Sequence, residues 1–579
     1  MELEKRLIRA LSPLLDSVAG RLADKPLPER KLALLRQEAA GRQMADVLSR
    51  YGTISLLRAE RTLYRDCAAV QEAVLMDILR ANAQTEYGRK HHFDRIAGVR
   101  DYRETVPVIV WEDVRESIDR MLNGEEDVLF PGSAVYFFRT SGTTGAAKFI
   151  PESAAEAAAR KVTNRLRYAE RVLASSFRST SCIFAMFSRS SDVMTPCGIP
   201  AGNSSGHTAG AVGGRISRRY AYTPRLVEEL EGNELYYTMM RLALTHRDVS
   251  MVSVNNARML SMLVRLAEEN APMLIADIRS GTNRYPLSDE VRRIEEKALR
   301  PNPRRADELE RLYRRKQFTP RYYWKDLALA SFWLGGSVGV FVDEVRPLLP
   351  EGTCFMDVGY GASEAKINIP LTPDRAAGPL SIFSGFFEFI PEEGGKPLLA
   401  HELEDGKTYE IMLTTYGGLY RYRIEDYVRV EGFTGTTPNI CFLTKSSDVA
   451  NLVEEKIAGA LLANAVRFAA EQDGLGCRAC QVYPDEKTTR YVICLETERV
   501  PEDVPAFAEK LDQVLCEQIA IYEVERHSEQ MLLPCTVQMM KKGWADHLTE
   551  KAAKGRGSSA QIKTTVVIRE MPESEWQMK

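Results

Sequence analysis

No stretch of the sequence reaches the roughly 18 uninterrupted apolar residues of a membrane span, so no transmembrane helix is expected. The first residues, MELEKRLIRALSPLLDSVAGRLA, repeat apolar positions at helical period. Glu4, Lys5, Arg6 and Arg9 interrupt them, and a signal-peptide core is lacking. The reading is a docked surface helix, with a membrane-surface helix as the alternative. Charge of one sign is not in excess either. The chain has 77 basic and 80 acidic residues, a net −3, which gives no global pull toward nucleic acid or anionic lipid. The ten cysteines do not form the dense framework of a small secreted domain, so reduced thiols in a cytoplasm are expected. Cys477-Arg-Ala-Cys480 has no second ligand pair at zinc spacing and reads as ordinary cysteines at the start of a strand. Internal repeats, low-complexity tracts and any Ser-His-Asp or metal-hydrolase constellation are absent.

What is present is globular: 579 residues, 44% hydrophobic and 27% charged, enough for two to four domains. Helical periodicity runs from 1 to about 82 and is broken by TEYGRKHHF at 85–93, whose adjacent histidines point different ways and do not share a metal. Residues 135–139 read as a strand, followed by a glycine-rich loop. Ser153 and Glu156 then have capping-box spacing at the start of an alanine-rich helix. Strand, loop, helix is an arrangement that brings backbone N–H groups to an anion. The Gly/Ser-rich stretch 195–214 is a functional loop or a linker, and 287–318 reads as exposed helices laced with ion pairs. Strand and turn character dominates 400–445, and a domain boundary is expected at 443–448.

The loop lies in FFRTSGTTGAAKFIP, residues 137–151. A Walker loop needs G-x-x-x-x-G-K-[ST]. Here Ala147 stands in place of the second glycine and Phe149 in place of the magnesium-binding hydroxyl. Thr140, Ser141, Thr143 and Thr144 nevertheless supply four hydroxyls. Gly142 and Gly145 allow close backbone approach and Lys148 adds one cation, a set suited to a pyrophosphate or triphosphate.

The run T-S-G-T-T-G-x-x-K resembles the phosphate loop of the adenylate-forming superfamily. Tyr360-Gly361-Ala362-Ser363-Glu364 resembles its second motif and Tyr422-Arg423-Ile424-Glu425-Asp426 its third, in the required order. Phe149-Ile150-Pro151 after the lysine, FFEFIPEE at 386–393, TYEIMLTTYGGLYRYRIEDYVRV at 408–430 and GSSAQIKTT at 557–565 narrow the match. So do TEYGRKHHF and VPVIVWEDV. Together they resemble the plant auxin-conjugating acyl-acid amido synthetases, the Gretchen Hagen family, and their bacterial relatives, over roughly 85–565. Glu425 stands where that family usually has glycine, and a carboxylate there repels a triphosphate unless it turns away.

The resemblance implies an α/β, two-domain adenylate-forming fold. A large domain, 1–444, would combine layered sheets with a small β-barrel, and a mobile α+β domain, 445–579, would cap the cleft. It implies ATP and Mg²⁺ as cofactors, with a small carboxylic acid and an amino acid as substrates. Ser141, Gly142, Thr143, Thr144, Gly145 and Lys148 would hold phosphates. Gly336 and Ser337, after Gly335, would let adenine approach the backbone. Tyr360, Gly361, Ala362 and Ser363 would flank the nucleotide, Asp426 and Arg423 would bind it, and Glu364 would ligate the metal. Lys563 would bridge carboxylate and α-phosphate, and Lys445 with Asp448 resembles the hinge. The acid pocket is expected from 184–200 and 330–340 and, by its aromatic and sulfur side chains, to suit an apolar acid. The implied activity is ATP-dependent amide formation, the alternatives being an acyl-CoA or other thioester-forming ligase, or a nucleotide-binding scaffold with decayed catalysis. A monomer or weak dimer is expected, with no nucleic acid partner.

Overall fold

A computed structural model describes residues 60–140, 148–177, 181–187, 193–202, 219–335, 342–392, 394–445, 449–453, 455–545, 547–548 and 566–578. The expected helices before residue 60 lie outside these residues, as does most of 195–214. The described part of the N-terminal region is helical. Helix α1 (Cys67–Asn82) buries Val70, Val74, Leu75, Ile78 and Leu79, a stripe at 3.6-residue period. Gln71 on the same face is fully used: its amide donates to Ile382 O at 2.6 Å and Gly385 O at 2.8 Å and accepts from Phe387 N–H at 2.8 Å. Helix α2 (Trp111–Leu122) follows.

Two strands flank the glycine run in the chain. Strands β1 (Tyr136–Thr140) and β2 (Lys148–Glu152) pair antiparallel, with Tyr136 opposite Glu152 and Thr140 opposite Lys148. Strand, loop, helix was expected; a five-residue strand stands between loop and helix. Pro151 masks β2 in the sequence, but β2 is an edge strand, where proline is tolerated. Helix α3 (Ala154–Ala174) then starts as the spacing predicts, Ser153 Oγ accepting from Glu156 N–H at 3.0 Å.

Strand β3 (Cys182–Ala185) begins a parallel sheet, while β4 (Val193–Met194) and β5 (Pro200–Gly202) extend the hairpin into the order β2-β1-β5-β4. Helix α4 (Gly232–Thr245) leads to β6 (Val249–Asn256). Helices α5 (Ala257–Glu269) and α6 (Pro303–Arg314) precede β7 (Leu329–Trp333), and β8 (Cys354–Met356) completes the order β3-β6-β7-β8. All its pairs are parallel, which requires such helical crossovers. The charged stretch around α6 forms exposed ion pairs, Arg300–Glu296 and Arg314–Glu310 among them, as its sequence predicts.

Strands β9 (Gly378–Pro379), β10 (Gly385–Pro391), β11 (Leu398–Leu399), β12 (Thr408–Thr415), β13 (Tyr422–Thr434) and β14 (Thr437–Lys445) form an antiparallel sheet, order β11-β10-β12-β13-β14-β9. Strands β15 (Val449–Ala450) and β16 (Ile457–Ala458) pair alone. Helix α7 (Gly459–Gln472), β17 (Cys477–Asp485), β18 (Arg490–Thr497), helix α8 (Val504–Gln518) and β19 (Thr536–Met539) build the C-terminal layer. Cys477 opens β17, as read from the sequence, and all ten cysteines are free thiols. One core joins the parallel sheet to this C-terminal layer; a second fills the space between α1, the hairpin and the six-stranded sheet. Among the described residues, no helix is long and apolar enough to cross a membrane.

Candidate nucleotide site

Open α/β sheets bind ligands beyond the carboxyl ends of their strands. Here Asp357 immediately follows β8. Its carboxylate accepts from Leu334 N–H at 2.7 Å, past the end of β7, and from Gly359 N–H at 2.6 Å. Burial pushes Asp357 up to about 6, against the pull of those two donors and of Arg167 and Arg171. Gly359 has φ +92°, and a Cβ there would lie 2.5 Å from Arg167 Nε, so only glycine fits. The 360–364 segment is thereby launched from the strand end. Tyr360 N–H donates to Asn368 Oδ1 at 2.7 Å and Ala362 N–H to Ala365 O at 2.8 Å. Gly361 forms a β-bridge with Lys366.

Two arginines seven residues apart on α3 hold this segment from behind. Arg167 donates to the Tyr360 and Asn368 carbonyls, and Arg160 to the Ser363 carbonyl. Seven residues are two helical turns, so both side chains leave the same face. Arg160 also pairs with Glu156 at 3.0 Å and lies over the Phe138 ring at 4.4 Å, which ties β1 to the second motif. This buried charge shifts its members. Burial, then Arg160 and Arg167, push Lys366 down to about 7. Burial, reinforced by Glu152 and opposed by Arg160, pushes Glu156 up to about 7.

The third motif arrives on β13. Glu410 faces Tyr427 and Met412 faces Arg423, so the ladder slips by a bulge between them. Bulges re-aim side chains. Glu425, within it, has φ +61° and is exposed. The left-handed backbone also explains why glycine suits this position. Asp426, 3% exposed, accepts a 2.6 Å hydrogen bond from Tyr360 Oη. The Tyr360 ring leans on Phe442, centroids 5.0 Å apart. Burial, then Asp426 and Glu364, raise the Tyr360 phenol well above its ordinary value. Burial, then Glu364, Glu425, Glu112 and Asp426, raise Tyr422 likewise. Glu364 and Asp426 therefore act on the same two phenols, and a carboxylate such as Glu364 is the ligand type a hard divalent cation takes.

The hairpin reaches this group through α2. Lys148 Nζ sits 5.5 Å above the Trp111 ring, the first residue of α2. Just before it, Ile109 bridges to Tyr422, donating to Arg421 O at 3.2 Å and accepting from Arg423 N–H at 2.9 Å. The Arg423 side chain is placed elsewhere. It forms a two-bond pair with Glu410 of the neighbouring strand at 2.7 and 2.8 Å. Ser141, Gly142, Thr143, Thr144, Gly145, Gly336, Ser337, Asp448 and Lys563 lie outside the described residues.

Of the expected acid pocket, Phe184 and Phe187 belong to the core, packed on Tyr222. Residues 193–196 instead line an open cavity of about 450 Å³ with Leu122, Asn123 and Phe149, the residue after Lys148. The positioning roles of Arg160, Arg167 and Asp357 are invisible to motif reading. Only the i, i+7 spacing of arginines on a helix otherwise rich in alanine hints at the first two.

Layered sheets, two motifs meeting beyond the ends of parallel strands, and a C-terminal α/β layer define the adenylate-forming fold. A solved GH3.15 acyl acid amido synthetase shares it, with TM-score 0.61 and 22% identity over 90% of this chain and 94% of that one. A second, of AtGH3.15 in complex with 2,4-DB, gives TM-score 0.62. The chain belongs to the GH3 family: it matches the family's N-terminal domain at 57–354, central domain at 379–445 and C-terminal domain at 461–572. Similar proteins include a putative indole-3-acetic acid-amido synthetase of Oryza sativa subsp. japonica, 28% identical over 72% of this chain and 86% of its own. Another is the 4-substituted benzoates-glutamate ligase GH3.12 of Arabidopsis thaliana, 26% identical over 88% of this chain and 94% of its own.

Proposed function

We propose that this protein is an ATP-dependent acyl-acid amido synthetase, joining a carboxylic acid to the amine of an amino acid. The observation that carries the reading is the Tyr360–Asp426 hydrogen bond of 2.6 Å, which unites two motifs 66 residues apart beyond the strand ends. In the first half-reaction the acid's carboxylate attacks the α-phosphorus of ATP, forming acyl-AMP and releasing pyrophosphate. Two anions approach each other, so cations and oriented donors dominate the barrier. Lys148 with the hydroxyls of Ser141, Thr143 and Thr144 would hold the outer phosphates. Glu364, 8% exposed, would be the magnesium ligand. The metal would neutralise phosphate charge. Tyr360 would meet the base and Asp426 the ribose hydroxyls, since a carboxylate accepting from Tyr360 has capacity for further donors. Lys563 would sit between carboxylate and α-phosphate.

In the second half-reaction the amine nitrogen attacks the acyl carbon, AMP leaves, and the amine loses a proton. Residues 445–579 would turn about Lys445 and Asp448 between the steps. The acid is taken to be apolar, in keeping with Phe149, Val193 and Met194 around the cavity. A bacterial origin is part of the reading, in keeping with identities of only 23–28% to the plant relatives. The test is a matrix of carboxylic acids against amino acids, with a coenzyme A arm, scored by mass. An amide dependent on ATP supports the proposal. Thioester alone, or no product from a broad panel, overturns it.

A further inference from the structure

Away from the nucleotide site, three different metal-binding side chains converge at the opposite edge of the parallel sheet. Cys182 is the first residue of β3, Asp248 immediately precedes β6, and His246 caps the C-terminus of α4. Because β3 and β6 run parallel, their starting ends share one edge, while Asp357 and the 360–364 segment leave from the other. The Cys182 thiol, one imidazole nitrogen of His246 and one Asp248 carboxylate oxygen all lie within 4.8 Å of one another. Tetrahedral donors bound to one zinc ion at about 2.0–2.3 Å lie about 3.3–3.8 Å apart, so rotamer shifts of about 1 Å or less would close the three side chains on one ion.

The backbone that presents them is firmly held. Cys182 N–H donates to Asp248 O at 3.1 Å. Arg305, 1% exposed, donates to the carbonyls of Leu244 at 2.8 Å, His246 at 3.3 Å and Tyr323 at 2.9 Å. A fully buried arginine thus fixes the turn that carries the imidazole, the kind of support that orients metal ligands. The cluster is also open on one side: the His246 and Asp248 side chains are 34% and 63% exposed, leaving room for a water as fourth ligand.

We propose that Cys182, His246 and Asp248 bind one divalent transition-metal ion, zinc by preference, which clips the end of α4 to the starts of β3 and β6. Thiolate with imidazole selects against hard Mg²⁺ and Ca²⁺. The same three residue types compose a cysteine nucleophile with a histidine–aspartate pair, but the geometry disfavours that use. His246 Nδ1 and Asp248 Oδ1 are 3.9 Å apart, beyond a hydrogen bond, and the thiol is only 6% exposed. The site is distant from the reacting end of the sheet, so its role is structural.

Titration of the EDTA-treated full-length protein with Co²⁺ tests this. One equivalent is expected to produce a thiolate-to-cobalt charge-transfer absorption, and Zn²⁺ is expected to bleach it and to raise Tm by about 2 °C or more. Cys182→Ser and His246→Ala should abolish the band, and Asp248→Asn, at an exposed position that leaves folding intact, should weaken Co²⁺ binding at least tenfold. The double variant Cys477→Ser/Cys480→Ser should keep the band. Absence of a band in the wild type, its persistence in Cys182→Ser, or its loss in the Cys477/Cys480 variant overturns the proposal.

Discussion

Asp426 and Tyr360 are each predictable from a motif, but their mutual hydrogen bond is not, because a linear pattern carries no distance. If that pair forms the nucleotide wall, Asp426→Ala should raise the KM for ATP and lower kcat/KM by about 10²–10³, an effect the size of removing one oriented polar group. Tyr360→Phe keeps the ring and should cost less, mainly in KM; pyrophosphate-release kinetics check both. Glu60 offers a pH test away from the site. It is fully buried, and burial, with Glu170 adding to it, pushes its carboxyl up to about 8 although Tyr64 Oη donates to it at 2.5 Å. A raised carboxyl stabilises the fold while protonated, so the wild type should lose stability as pH rises from 4.5 through 8. Glu60→Gln keeps an acceptor for Tyr64 and removes the titration. Between pH 6 and 9 the variant should gain roughly 1–3 kcal/mol over wild type in chemical denaturation. Equal slopes with pH in both proteins would contradict the shift.

At the level of elements, the sequence read most clearly where a single period governs. The α1 stripe, the Ser153 cap and the charged helices around α6 were all legible from spacing alone. Strand β2 was not, because Lys148–Glu152 is short and contains Pro151, and only its edge position makes that proline admissible. The bulge in β13 was equally hidden: Glu425 looked like a misplaced charge, yet it has φ +61° and is exposed. The pairing of Arg423, a motif residue, with Glu410 across the ladder was hidden too. The arginines of α3 matter more. Arg167 stays charged at neutral pH although burial, with Arg171 adding to it, pushes it down to about 9. Its loss takes the Arg167 donor from the buried Asn368 carbonyl and one of three donors from the Tyr360 carbonyl, so Arg167→Ala should destabilise the protein by about 1–3 kcal/mol. Gly359→Ala should act through the same contact, since its Cβ has no room beside Arg167. Both should raise the KM for ATP, read alongside Tm.

For the molecule as a whole, the family and its chemistry were legible because phosphate handling demands particular residues in a fixed order. The acid and the amino acid were not, since pockets for apolar groups are satisfied by many side chains. Among the described residues of 184–200, part proved to be core and 193–196 line the cavity beside the hairpin. Lys563 belongs to this scale, because the role proposed for it would need the C-terminal region to turn toward the cleft. Lys563→Ala should slow acyl-AMP formation by about 10²–10³ while leaving the reaction of preformed acyl-AMP with an amine nearly intact, a split that single-turnover assays resolve. The central claim is that the two motifs joined by Tyr360 and Asp426 hold one ATP whose α-phosphorus is attacked by a carboxylate. It is tested most directly by identifying the nucleotide formed as amide accumulates. The account predicts one AMP and one pyrophosphate per amide. ADP with inorganic phosphate, formed in step with the amide, would contradict it.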